Sequence, residues 1–171
     1  MRSMLAAVLH ESPGRLSIEE VLIDDPAPNE VLIRVAATGL CHSDLHYLEH
    51  AYPLRGSTVL GHEGAAVVEA VGSDVTYVVP GDHVLTFLVG FCGRCEWCLS
   101  GRPNLCTKEG LLRPAGAPPR LTLPDGGQCL QYLGLATFAE QMLVHENTVL
   151  KIDPGIPLDR AALVGCAVPT G

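Results

Sequence analysis

Aromatic side chains are scarce in this 171-residue chain: one Trp, four Tyr and three Phe, 5% of the whole. Burial therefore has to come from Val, Leu, Ile and Ala. Long apolar runs are missing too. None approaches the roughly 20 residues that a helix needs to cross a bilayer, so no membrane partner is expected. Positive charge is thin, with 11 Lys and Arg against 19 Asp and Glu and a formal net charge of −8. No Lys/Arg run offsets that balance, which argues against nucleic acid as a partner. Internal repeats and low-complexity tracts are absent. So is any Gly-x-Gly-x-x-Gly, the loop that seats a dinucleotide pyrophosphate at a helix N-terminus.

What is present describes a globular chain, 47% hydrophobic and long enough for one domain with a sizeable core. The N-terminal run Leu5–Leu9 is cut by His10 and Glu11 with no cleavage-type site after it, so it reads as a strand rather than a secretory leader. Seven cysteines, an odd number and mostly in metal-like spacing, point to a reducing, cytoplasmic setting.

Strand patterns dominate. Residues 5–9, 16–23, 31–35, 64–71, 84–89, 138–144 and 149–152 read as short β-strands. They are separated by turn signals such as Ser12-Pro13-Gly14, Pro26-Ala27-Pro28-Asn29 and Pro80-Gly81-Asp82. Short strands at this spacing predict a barrel or sandwich, mainly β with short helices. The helical candidates are 43–49, capped by Ser43 or Asp44, and 158–163, which follows Pro157. Residues 112–128 carry many breakers and read as a surface loop.

Four cysteines occupy one 15-residue window: Cys92, Cys95, Cys98 and Cys106, spaced C-x2-C-x2-C-x7-C. Zinc takes four thiolates at tetrahedral corners, and two-residue gaps let the backbone turn neighbouring sulfurs toward one ion. The pattern predicts a closed, structural zinc site; a pair of disulfides is the alternative. A second, dispersed set comprises Cys41, His62 and Cys166. Two thiolates and an imidazole would leave a fourth zinc position open for water or substrate, the arrangement of a catalytic site. Each is weak alone, since a lone Cys is usually a small buried hydrophobe.

Taken in order, Gly39-Leu40-Cys41-His42-Ser43-Asp44, Gly61-His62-Glu63, Gly81-Asp82, the four-cysteine window and Gly165-Cys166-Ala167-Val168-Pro169-Thr170-Gly171 resemble the zinc-containing medium-chain alcohol dehydrogenases over essentially the whole chain. The resemblance implies a GroES-like β-barrel catalytic domain over residues 1–164 with a zinc lobe at 91–107. Residues 165–171 would then begin the segment leading to a Rossmann domain. It implies two zinc ions per chain, a catalytic one on Cys41, His62 and Cys166 and a structural one on the four cysteines. The implied reaction oxidises a small alcohol to an aldehyde or ketone with NAD or NADP as hydride acceptor. Because no dinucleotide loop occurs in these 171 residues, the chain is expected to be an N-terminal part that is inactive alone. Homo-oligomerisation is expected of the full-length enzyme.

The same resemblance assigns roles. Ser43 takes the alcohol proton and His46 delivers it to solvent, with a helix cap as the alternative for Ser43. Asp44 orients His62; it too could be a cap. Glu63 approaches the metal, or is a buried paired carboxylate. His42 and Thr170 meet the cofactor, His42 at the pyrophosphate where Arg is common. Residues 108–139 look like the longer forms that include glutathione-dependent formaldehyde dehydrogenases. Two positions depart. Ala66 stands where Gly is usual, with strain expected if the site needs positive φ. Tyr52 and Leu54 flank Pro53 where an acidic pair accompanies glutathione adducts. Among the rest, Cys129 is expected as a free thiol, Trp97 and Phe91 as packing for the lobe, Leu88 as pocket or core, and His10, His50, His83 and His145 as surface residues. Two rival readings are a zinc-stabilised module without activity and a zinc-free relative of the quinone reductase type. The full ligand sets argue against the second.

Overall fold

The computed structural model describes residues 1–171. In chain order it contains β1 (Arg2–Leu9), β2 (Leu16–Ile23), β3 (Glu30–Thr38), α1 (His42–Glu49), β4 (Thr58–Val59), β5 (Gly64–Val71), β6 (His83–Thr86) and α2 (Glu96–Leu99). There follow β7 (Leu121–Thr122), β8 (Gln128–Gln131), β9 (Gln141–His145), β10 (Val149–Lys151), α3 (Leu158–Ala161) and α4 (Ala167–Thr170).

Alternation of side chains along the pleat sets the layers. In β1, Met4, Ala6 and Val8 are buried while Leu5 between them is exposed. The strand pairs antiparallel with β2 over its whole length, from Arg2↔Ile23 to Leu9↔Leu16. β1, β2, β7, β8 and β4 close into a barrel in that order, with only β4–β8 parallel. A second, antiparallel sheet runs β10-β6-β5-β3-β9. Between them lies a cluster of 22 buried residues in which no Phe, Tyr or Trp takes part. The aliphatic core demanded by the scarcity of aromatics is therefore realised.

β3 carries register shifts at Leu32/Ile33 and Val35/Ala37 where it pairs with β5. Such bulges bend a strand and increase its twist. The bent end leads through Gly39, whose N–H donates to the Glu63 carbonyl at 2.7 Å, directly into α1. Cys41 rather than Ser43 or Asp44 is the residue that caps α1.

Several local expectations change. The strand expected over 84–89 ends at Thr86, because Phe87 donates its N–H to the Thr148 carbonyl and Leu88 donates to Gly165. Residues 87–89 therefore leave the sheet and line a cleft. The strand expected from Phe138 begins at Gln141; Phe138 instead bonds Leu60 and Ala7 through its backbone. Ala66 lies within β5, paired with Val35 and Val84, so its backbone is extended and the anticipated strain does not arise. His145 is buried, not at the surface, because it ends β9 opposite Glu30. His83 is half-buried, while His10 and His50 are exposed.

The stretch 112–128 is more than a surface loop. Leu121 is fully buried, and β7 bridges β2 and β8. Its anchor is Glu30, a buried carboxylate that accepts from Arg113 (Nη2, 2.6 Å), Arg120 (Nε, 2.7 Å) and the Ala27 N–H (3.0 Å). Asp24 completes the group with a 2.6 Å contact to Arg113. Burial alone pushes the Glu30 carboxyl up, but the Arg113 hydrogen bonds and the Arg120 charge outweigh it and hold it below the usual range. A pair in which one partner is removed costs far more than the intact pair contributes, since the survivors stay buried and unpaired. Glu30→Gln is therefore expected to lower unfolding free energy by about 3 kcal/mol in urea titrations. The folded-state pKa is lowered, so the stabilisation is complete above the unfolded carboxylate value of about 4.3 and is lost as pH falls below it. The urea midpoint of the native chain should drop through that acidic window, and the Gln variant should drop less.

Candidate metal centres

The four cysteines of the lobe converge. Sγ separations are 3.5 Å for Cys95–Cys98, 3.8 Å for Cys95–Cys106 and 4.0 Å for Cys92–Cys98. A tetrahedral zinc with sulfurs about 2.3 Å away requires edges of about 3.8 Å, so the cage has the size of that ion. All seven cysteines are free thiols, and the disulfide alternative fails. Backbone N–H groups point at the sulfurs: Cys92 donates to Cys106 Sγ (3.2 Å), Cys95 to Cys92 Sγ (3.4 Å) and Lys108 to Cys106 Sγ (3.3 Å). The Cys98 N–H above all holds the Cys95 thiol down to about 6, while burial and the Cys95 sulfur push Cys98 up to about 11. Acceptors so crowded cannot all ionise alone; a divalent cation among them would deprotonate the set. Trp97 is half-buried in this lobe, whereas Phe91 is exposed and lines the neighbouring cleft.

A second group gathers residues remote in sequence. Ligand atoms of Cys41, His62, Glu63 and Cys166 all lie within 4.8 Å of one another. Each arrives from a different element: Cys41 at the start of α1, His62 and Glu63 just before β5, and Cys166 between α3 and α4. Asp44 holds the first two pieces together. It is buried, its Oδ1 accepts the Gly61 N–H (3.1 Å), and its Oδ2 accepts the Cys41 N–H (3.2 Å). Its Oδ1 also lies 3.4 Å from His62 Nδ1, close enough for charge attraction though not hydrogen-bonded to it. Thr86 fixes the His62 backbone, donating from Oγ1 to the His62 carbonyl (3.1 Å) while accepting the Gly64 N–H (2.9 Å).

The electrostatics of this group suit a cation. Both ring nitrogens of His62 are buried and lack a hydrogen-bond partner, an expensive arrangement for an imidazole. Burial opposes protonation of His62, yet Asp44 and Cys41 outweigh it and raise its affinity for a proton. Burial likewise opposes ionisation of Cys41, but hydrogen bonds from Ser43 and the nearness of His62 prevail and lower it. Cys166 is pushed up to about 11 by burial and then by the Cys41 charge. Two thiols, an imidazole and a carboxylate in mutual contact are the donor set that zinc accepts.

Other expected residues fall around this centre. Ser43 Oγ is 3.5 Å from Cys41 Sγ. His46, three positions on, is partly exposed and stacks parallel to Tyr52 at 5.8 Å. His42 is exposed and edge-on to His46 at 5.2 Å. Thr170 is exposed but joins Phe87, Leu88, Phe91, Cys166 and Pro169 around a cleft of about 350 Å³. Leu88 thus belongs to a pocket rather than the core. Cys129 is a buried free thiol that belongs to neither metal group, raised to about 11 by burial.

Sequence reasoning passed over Thr86 and Tyr132. Tyr132 presents its ring edge-on to His62 at 5.6 Å and to Tyr47 at 5.1 Å. It sits in a one-turn segment where Leu133 takes φ 56°, and no local pattern announces such a placement.

The family model described as alcohol dehydrogenase GroES-like domain matches residues 27–154. An NDMA-dependent alcohol dehydrogenase of Amycolatopsis methanolica is 43% identical over 172 residues, covering 97% of this chain and 45% of that protein. The S-(hydroxymethyl)glutathione dehydrogenase of Saccharomyces cerevisiae is 40% identical over 178 residues, covering 98% and 45%. The crystal structure of an alcohol dehydrogenase zinc-binding domain protein from Burkholderia ambifaria superposes with a TM-score of 0.89 at 37% identity, over 99% of this chain and 47% of that one. Benzyl alcohol dehydrogenase of Acinetobacter calcoaceticus gives a TM-score of 0.84 at 31% identity, over 100% and 47%. The chain spans about half the length of the curated relatives it matches. On the match over 27–154, this chain belongs to the alcohol dehydrogenase GroES-like domain family.

Proposed function

We propose that this chain is the metal-holding catalytic part of a zinc-dependent alcohol dehydrogenase that passes hydride from a small alcohol to NAD or NADP. The observation that carries the reading is the meeting of Cys41, His62, Glu63 and Cys166 beside an open cleft. Residues 1–164 would form the catalytic domain with its lobe at 91–107, and 165–171 would lead into the nucleotide-binding part. Two zinc ions per chain are proposed, one on Cys41, His62 and Cys166, the other on Cys92, Cys95, Cys98 and Cys106. When bound, the first supplies Lewis acidity to an alcohol oxygen and so eases loss of its proton.

The chain's own groups do the rest. Ser43, beside Cys41, accepts the alcohol proton, and His46 on the same helix returns it to solvent. Asp44 keeps His62 in one tautomer and orientation. Glu63 adds a fourth donor atom to the group and would be available to a metal held there. His42 and Thr170 border the side from which the cofactor would approach. Phe87, Leu88, Val89, Phe91 and Pro169 give the cleft an apolar wall, which favours an apolar alcohol or aldehyde. Tyr52 and Leu54 offer no negative charge beside Pro53, which weighs against a glutathione adduct as substrate. A reducing cytoplasm fits seven free thiols, and homo-oligomerisation of the full-length enzyme is proposed with it on the resemblance alone.

Elemental analysis tests the metal assignment. Two zinc ions per chain are expected, with Cys41→Ser and Cys95→Ser each losing one and keeping the other. A single zinc lost only in Cys95→Ser would remove the catalytic centre from this reading. For the reaction, reduced nicotinamide is followed by absorbance over a panel of primary and benzylic alcohols, in the protein that carries these residues. Ser43→Ala should slow turnover by about 100-fold or more while both zinc ions remain. Unchanged turnover in that variant would place the proton path elsewhere, and no alcohol-dependent reduction at all would sink the dehydrogenase assignment.

A further inference from the structure

β6 is an apolar strand that ends on a hydroxyl. Val84 and Leu85 are buried hydrophobics, and Thr86 after them is wholly buried as well. A hydroxyl in such surroundings costs stability unless its donor and acceptor are both matched. Thr86 matches both on one short segment. Its Oγ1 donates to the His62 carbonyl at 3.1 Å and accepts the Gly64 N–H at 2.9 Å. The groups so gripped bracket His62 and Glu63, two of the four donors of the second centre.

That grip matters because neither nitrogen of the His62 ring has a hydrogen bond of its own. The direction of the ring is therefore inherited from the backbone that carries it. Residues 61–64 are anchored from several parts of the chain. Asp44 Oδ1 accepts the Gly61 N–H, Thr137 donates its N–H to the Gly61 carbonyl, and Gly39 donates to the Glu63 carbonyl. Thr86 holds the His62 carbonyl and Gly64 between them. It also reaches a third donor. Its own carbonyl lies against Gly165, where a Cβ would overlap that oxygen, and Cys166 is the next residue. Two positions past Thr86, the Leu88 N–H donates to the Gly165 carbonyl at 3.5 Å and closes the same contact. One buried residue thus fixes two donors that are remote in sequence, and it does not line the cleft.

We propose that Thr86 is a positioning residue of the second metal centre. It sets where His62 and Cys166 meet, and so decides how firmly that centre holds its ion, without touching the ion, the substrate cleft or the four-cysteine lobe. This role rests on the reading of Cys41, His62 and Cys166 as metal ligands given above. Residues that support a metal ligand govern affinity nearly as strongly as the ligands do.

The test uses the zinc-loaded protein that carries these residues. It measures the zinc retained at each centre against graded chelator, and the visible absorption of Co2+ exchanged into the second centre. Thr86→Val keeps the side-chain shape and removes the hydroxyl. It should weaken the second zinc by about 10- to 100-fold and leave the lobe zinc unchanged. The Co2+ absorption should shift with it, because it reports ligand geometry. Thr86→Ser should behave as the parent, and Gly165→Ala should reproduce the Val variant through the other contact. The proposal is overturned if Thr86→Val loses stability yet holds both zinc ions as the parent does, or if both ions weaken together. It is equally overturned if Thr86→Ser fails to restore the second zinc, or if Gly165→Ala leaves that zinc undisturbed. A parent protein that holds zinc only in the lobe would overturn the reading of the second centre itself, and the role of Thr86 with it.

Discussion

Mutual repulsion among buried or crowded acceptors is the constraint around which this structure is organised. Eight sulfur, nitrogen and carboxylate groups are drawn into two small volumes where water cannot solvate them all. In the lobe the shortest sulfur approach is 3.5 Å. Bringing Cys98 so close to Cys95 raises one thiol and lowers the other, because two neighbouring charges cannot both form in a poorly solvated site. The backbone answers part of this demand by aiming N–H groups at sulfur. A divalent ion held there would answer the rest, and its binding free energy would then become folding free energy for the lobe.

At the second centre the constraint reaches further into the fold. Cys41, His62 and Cys166 come from three separate parts of the chain, so something besides the ligands must hold those parts in place. Asp44 ties the start of α1 to Gly61, and Thr86 ties His62 to β6. Gly61 itself takes φ +86°, a backbone conformation that side chains rarely adopt. The approach of Cys166 depends on Gly165, where a Cβ would run into the Thr86 carbonyl. Thr86 therefore supports the site from two sides: its hydroxyl fixes His62 and its carbonyl accepts the close passage of Gly165. Gly165 lines the cleft and Thr86 does not, yet both set where the donors meet.

The parts of this molecule legible in the sequence were those encoded over short spans. C-x2-C-x2-C-x7-C announced the lobe because its ligands are local. Alternation announced β1 and β2, and the lack of aromatics foretold an aliphatic core. Cys41, His62 and Cys166 were legible only through resemblance, since nothing in their spacing of 21 and 104 residues requires contact. What stayed hidden depends on long-range pairing. Arg113 and Arg120 look like charges in a breaker-rich loop until Glu30, more than 80 residues earlier, is seen to hold both. His145 looked like a surface residue because its burial comes from pairing with Glu30 across the sheet. Ala66 looked strained only while its backbone was taken from a family pattern rather than from β5.

The same logic divides α1 into a committed start and an exposed end. Its first turn is committed: Cys41 caps it, Ser43 touches Cys41 and Asp44 is buried beneath His62. Its last turn is held only by helical hydrogen bonding and the Tyr52 stack, and its imidazoles face solvent. An eight-residue helix has little more than two turns, so the buried and exposed functions lie about one turn apart. His46, three positions after Ser43, lies on the same face of the helix, so the proposed proton path would run from the buried start of α1 to its exposed end over about one turn.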